Sequence, residues 1–181
     1  MPLEISWVLK TDLGTLTGAE VRGAPLSLQK DALLSGYYVN ELLIHLLHRH
    51  DAQPEIFELY ARTLKSLGAA DNVSPYLRQF EIELLRQIGY ALTLDVDAAN
   101  HERLDAAAYY EYRMEQGPVA VGRSEGPLIF PGRLLVAIDA LEFDRPEVLR
   151  AANRLLREVI DFHLGGKELR TRKVLKEIHR M

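Results

Sequence analysis

The chain has 181 residues, 48% of them hydrophobic, enough to fill one sizeable core and too many for a disordered chain. It has no cysteine, which excludes disulfides, a thiolate zinc site and a cysteine nucleophile and makes a reducing cytoplasm the expected home; no apolar run reaches membrane-spanning length. The formal charge of −4 argues against a chain that coats nucleic acid with its whole surface, but it is unevenly placed: residues 167–181 carry +4, from six bases against two acids, and residues 1–166 carry −8.

Leu3 to Lys10 alternates loosely through Ile5, Trp7 and Val8 and is predicted as a short strand without an obvious partner nearby. A long helix is predicted from Ser27 to about His48. Its apolar residues, among them Leu33, Leu34, Tyr37, Tyr38, Val39, Leu42, Leu43 and Ile44, cover most of the circumference, the pattern of a central helix with neighbours on several sides. Pro54 opens a second helix that Gly68 is expected to stop. Ser74-Pro75 opens a third, with Ser74 as N-cap and Gly89 as the C-terminal stop. The segment after it is polar through Asp95, Asp97, Asn100 and His101. Ala108 to Arg113, Val119 to Val121 and Leu128 to Phe130 then form a small β insert, with turns at Gly117-Pro118 and Gly126-Pro127. Three further helices are predicted: Gly132 to Ala140, Arg145 to Leu164, and Thr171 to Arg180. The fold class is mainly α, a helical bundle carrying a small β-hairpin insert and a short N-terminal strand.

No stretch has the composition of an active site. His45, His48, His50 and Asp51 could be read as metal ligands, yet they sit at a helix C-terminus, where imidazoles meet the negative end of the dipole, and no His-Glu-x-x-His arrangement accompanies them. The loop Asp95, Asp97, Asn100, His101, Glu102 lacks the spacing of a calcium loop. There is no nucleophile elbow, phosphate-binding loop or dinucleotide fingerprint. No metal and no cofactor are expected, and the protein is not expected to be an enzyme.

The third helix is more informative. At 100° per residue Leu77, Phe80, Leu84 and Ile88 share one sector, expected to be the core face. Ile82 falls nearly opposite, flanked one turn away by Arg78 and Arg86, with Leu85 between the faces. An exposed isoleucine ringed by guanidinium groups would suit a peptide that is both acidic and hydrophobic; alternatively another segment, such as the β insert, covers Ile82 and the arginines pair with Glu81 or Glu83. On the last helix Val174, Leu175 and Ile178 face one way and Arg172, Lys173, Lys176 and Arg180 the other, a cationic face that either tracks phosphates or is simply solvated.

With these residues in view, the chain resembles the RecO family of bacterial recombination mediators, through Thr15-Leu-Thr-Gly-Ala-Glu20, Ser35-Gly-Tyr-Tyr-Val-Asn-Glu-Leu-Leu43, Leu77-Arg-Gln-Phe-Glu81 with Gly89-Tyr90, and Leu164-Gly-Gly-Lys-Glu-Leu-Arg-Thr-Arg172. The order and spacing of these segments carry the resemblance. It implies an N-terminal OB-fold that binds DNA, of which residues 1–20 would be the end and linker, and a helical domain over 21–181 with its β insert at about 108–130. The four-cysteine zinc module of several members is replaced here by Leu94-Asp-Val-Asp-Ala-Ala-Asn100.

The implied role is non-enzymatic DNA repair and recombination in the bacterial cytoplasm, associated with the nucleoid, with strand annealing and help in RecA loading. Implied partners are the acidic, phenylalanine-ended tail of single-strand-binding protein, RecR, RecA indirectly, and single-stranded DNA, the last weakened by the missing OB-fold; no membrane is involved. The resemblance puts tail binding at Arg78, Ile82 and Leu85, to which helical geometry adds Arg86. It puts DNA contact, with less of the total affinity, at Lys167, Arg170, Arg172, Lys173, Lys176 and Arg180. Two other classes stay open: a metal-dependent hydrolase using His45, His48 and the Asp95/Asp97 loop, and a structural helical adaptor without DNA contact.

Overall fold

The computed structural model describes residues 2–9, 14–48 and 51–178, with side chains up to 174. In chain order the elements are β1 (Leu3–Leu9), β2 (Gly14–Val21), α1 (Lys30–Leu46), α2 (Pro54–Ala69), α3 (Ser74–Gln87), β3 (Tyr109–Arg113), β4 (Gly117–Val121), β5 (Ile129–Pro131), α4 (Gly132–Asp139), α5 (Pro146–His163) and α6 (Arg170–Ile178). The strands form two separate antiparallel sheets, so the chain is mixed rather than purely helical, with helices forming most of the core.

The N-terminal strand does have a local partner. β1 pairs antiparallel with β2 from Leu3 opposite Val21 to Leu9 opposite Gly14, with a register shift between Ser6 and Trp7. The Thr15–Glu20 segment, whose alternation is too weak to announce a strand, supplies the pairing. Every described residue of this hairpin is exposed, including Ile5, Trp7 and Leu16, so none of its apolar side chains enters the core.

α1 is central on one side only. Val39 and Leu42 are fully buried, while Leu33, Tyr37 and Ile44 line up along an exposed stripe, because no element packs on that side among the described residues. Gly36 lets α1 meet the chain leading into it: a Cβ there would lie 2.8 Å from a methyl of Leu28. α2 runs through Gly68 to Ala69, and Gly68 faces Leu28 as well. At the start of α3, Ser74 is already helical and makes no side-chain cap; instead Asn72 Oδ1 accepts its N–H at 3.1 Å. Gly89 does end the helix, at φ +87°, with Tyr90 N–H donating to Leu85 O and Gly89 N–H to Arg86 O, the paired bonds of a glycine-closed helix end.

α3 is the element whose environment departs most from expectation. It is buried on two faces. Phe80 and Leu84 pack toward the core as predicted, but Ile82 and Leu85, at 3% and 0% exposure, belong to the same core. α3 packs against both α2 and α5, and meets α5 through the Arg78–Asn153 hydrogen bond. In the β insert β3 lies between β4 and β5, and β5 leads directly into α4.

α5 is the most regular helix. Val148, Ala151, Ala152, Leu155, Leu156, Val159 and Ile160 are all buried, at the spacing that gives a helix a single wide apolar face. Its opposite face carries Arg150, Arg154 and Arg157, all exposed. α6 begins against α1, and Glu41 of α1 caps it: one carboxylate oxygen accepts Arg170 N–H at 2.7 Å, and the other accepts Thr171 N–H at 3.0 Å and Thr171 Oγ1–H at 2.6 Å. These bonds satisfy backbone donors that a helix start otherwise leaves orphaned.

Candidate functional site

Four helices enclose a groove of about 550 Å³. α3 and the turn before it contribute Val73, Ser74, Leu77 and Arg78; α1 contributes Asp31, Ser35 and Tyr38; α5 contributes Leu149, Arg150, Asn153 and Arg157; α6 contributes Arg172. Four guanidinium groups and one carboxylate line it, those of Arg78 and Arg172 paired with Glu81 and Asp161 and those of Arg150 and Arg157 exposed, with Leu77 and Leu149 as half-buried apolar surface.

Beneath the groove lies a buried polar network built on α3. Glu81, 1% exposed, accepts hydrogen bonds on Oε1 from Tyr38 Oη and from Arg78 Nη2, both at 2.6 Å. Arg78 Nη1 donates to Asn153 Oδ1 at 3.0 Å. Arg172 Nη2 donates to Tyr38 Oη at 3.3 Å, its guanidinium lies 5.6 Å from the centre of the Tyr38 ring, and it pairs with Asp161. Burial raises the Glu81 carboxyl above the usual range despite the pull of Arg78, and burial followed by the nearby Glu81 charge raises the Tyr38 phenol. Arg78 Nε and Glu81 Oε2 have no hydrogen-bond partner among the described residues. The network joins α1, α3, α5 and α6, and makes the wall of the groove stiff and polar.

The residues assigned to tail binding are therefore not brought together on one surface. Arg78 reaches the groove, though only 9% exposed and with its charge matched by Glu81. Ile82 and Leu85 are core residues, so neither offers side-chain surface to a ligand; the single-faced helix assumed for α3 fails because α3 packs against both α2 and α5. Arg86 is exposed two turns from Arg78, beside Asp95 and Asp139 and away from the groove. Burial, then the Asp95 charge, raises the Asp139 carboxyl, and Arg86 opposes that shift. Glu83, a possible partner for the arginines of its own helix, bonds Arg62 of α2 at 2.5 Å instead.

Of the basic residues assigned to DNA contact, Lys167, Arg170 and Lys173 are exposed. Arg172 is turned inward, because Tyr38 and Asp161 both hold it, and is not part of an outward cationic face. Val174, expected to pack on the bundle, is 43% exposed. The side chain of Lys176, and Arg180, lie outside the described residues, as do the side chains of Leu175 and Ile178. The loop offered as a hydrolase centre has internal work for its acids: Asp97 accepts Ala99 N–H at 2.8 Å and Ala120 N–H at 3.2 Å, which fastens the loop to β4. His50 lies outside the described residues, and among those described no three His, Asp or Glu side chains come together as metal ligands would.

Arg150 and Arg157 went unnoticed in the sequence. The signal was there, since residues 150, 154 and 157 fall on the face opposite the seven buried positions of α5, and a 100° plot of this helix shows them aligned.

The family model described as "Recombination protein O C terminal" matches residues 29–173, which takes in α1 to α5 and the start of α6, hence all four walls of the groove. The chain belongs to the RecO family. Among its RecO relatives, the DNA repair protein RecO of Aromatoleum aromaticum is 41% identical over 99% of this chain and 75% of its own length. Those of Dechloromonas aromatica and Pseudomonas aeruginosa are each 40% identical, over 99% and 96% of this chain and 76% and 74% of their own lengths. The segments Ser35–Leu43 and Leu77–Glu81 supply Tyr38, Arg78 and Glu81 to the buried network, and Leu164–Arg172 ends on Arg172.

Proposed function

We propose that this RecO-family chain acts in DNA repair as a non-enzymatic recombination mediator. It docks the acidic, phenylalanine-ended tail of single-strand-binding protein, contacts single-stranded DNA, and through RecR assists strand annealing and RecA loading. The observation that carries the docking is the groove between α1, α3, α5 and α6: Arg150 and Arg157, in no ion pair among the described residues, stand beside Leu77 and Leu149, while Arg78 and Arg172 are already paired with Glu81 and Asp161, so that carboxylates and one aromatic side chain can be taken together along α5. Relatives named DNA repair protein RecO support the biological setting.

On this reading the tail lies along α5 beside Leu149, Arg150 and Arg157 rather than along Ile82, Leu85 and Arg86. Substituting Arg78 is a poor probe, because removing one partner of a buried ion pair costs about 3–5 kcal/mol and would unfold the site. The half-buried groove leucines are better. A fluorescein-labelled acidic peptide ending in phenylalanine, titrated by anisotropy, is expected to bind the wild type and to lose at least tenfold in affinity to Leu149→Asp, with circular dichroism confirming that the variant is folded. Arg86→Glu is expected to bind as the wild type does. An unchanged affinity for folded Leu149→Asp, or a loss confined to Arg86→Glu, would overturn the groove as the docking site.

A further inference from the structure

The groove does not end at α5. A second depression of about 470 Å³ crosses the exposed face of that helix between Arg150, Arg157 and Asp161, and a third of about 510 Å³ continues from Arg157 and Asp161 to Lys167 and Lys173 beside α6. Shared walls make the three one path. Arg150 and Arg157 stand seven residues apart on α5, about 10 Å along the axis at 1.5 Å per residue. Both are exposed, and neither they nor Lys167 and Lys173 make an ion pair among the described residues, where the other arginines of this face are committed. Arg154 between them donates to Ile129 O at 2.7 Å and lies 4.2 Å over the Phe130 ring. Arg172 neutralises Asp161. The remaining acids on the path are Asp31 at its groove end, Glu158 and Glu168.

We infer that this α5–α6 seam is a track for the phosphates of single-stranded nucleic acid, with Arg150 and Arg157 as its principal contacts and Lys167 and Lys173 as its continuation. The inference rests on the DNA-contact part of the function proposed above and moves its centre from α6 to α5. A shallow, polar seam with spaced, uncommitted cations fits a polyanion offering charges at short, regular intervals. An acidic peptide with an apolar end is better served by the deeper groove, where Leu77 and Leu149 lie. The concentration of cations is local, in a chain whose net charge is −4, so attraction of a strand would be steered to this face.

The test uses the full chain and a fluorescein-labelled single-stranded oligonucleotide, titrated over a series of salt concentrations. The double variant Arg150→Gln/Arg157→Gln is expected to lose at least tenfold in affinity in dilute buffer, and the slope of log K against log salt is expected to fall by about 1.4, at about 0.7 per phosphate contact on a single strand. Arg123→Gln, on the loop after β4, is expected to change neither. Wild-type binding that the double variant retains in full, slope included, would overturn the inference and leave DNA contact to α6. A wild type without salt-dependent binding would overturn both. Loss of the acidic peptide with strand affinity unchanged would assign this face to the peptide and likewise overturn the track.

Discussion

Glu81 shows how little a residue's type says about its role. In the sequence it is one acid among many on an amphipathic helix. In the fold it is buried, shared between Tyr38 and Arg78, and holds one oxygen without a partner among the described residues. Burial is the largest influence on its carboxyl and raises its pKa. The sign of the consequence follows from linkage: the folded protein holds the proton at a pH where the unfolded chain has released it. The contribution of this carboxyl to stability is then complete below the ordinary glutamate value of about 4.3 and is lost as pH rises through the folded value. Urea unfolding of wild type and Glu81→Gln at a series of pH values should show the wild type's relative stability highest in acid and declining above the ordinary glutamate range. A difference independent of pH would mean that Arg78 keeps Glu81 ionised throughout.

At the scale of elements, α6 depends on α1 for its start. Partial burial works to raise the Glu41 carboxyl, but the hydrogen bonds from Thr171 and Arg170 outweigh it and hold the group below the usual range. A carboxylate at a helix N-terminus also meets the positive end of the dipole. Glu41→Ala is expected to cost about 1 kcal/mol, the usual value for loss of an N-cap, and to speed amide hydrogen exchange in α6 while leaving α5 protected. Equal exchange in α6 would show that Arg172, through Tyr38 and Asp161, suffices to dock the helix. α3 supplies the complementary lesson. Its boundaries, the Pro75 start and the Gly89 stop were legible because they are local chemistry. The fate of Ile82 was not, because a second buried face depends on which helix arrives from elsewhere.

For the whole molecule, the proposed tail groove and the proposed strand track overlap at Arg150 and Arg157. The two ligands are therefore expected to compete: a saturating concentration of the phenylalanine-ended acidic peptide should weaken oligonucleotide binding, and a neutral peptide of the same length should not. Additive binding, with strand affinity unaffected by the peptide, would separate the two surfaces.

The sequence by itself determined the helices, the β insert, the glycine-closed end of α3 and the family, because caps, turns and apolar periodicity act over a few residues. Tertiary structure decided which faces are covered: β2 gives β1 a partner, Ile82 and Leu85 are buried in an α3 that packs against both α2 and α5, and Tyr38 with Asp161 turns Arg172 inward. It also decided where the cations gather, since Arg78, Arg150 and Arg172 are dozens of residues apart in the chain or separated by a glycine turn, and only the packing of four helices sets them around one groove. Burial and charge proximity are properties of pairs of elements, and no periodicity within one element contains them.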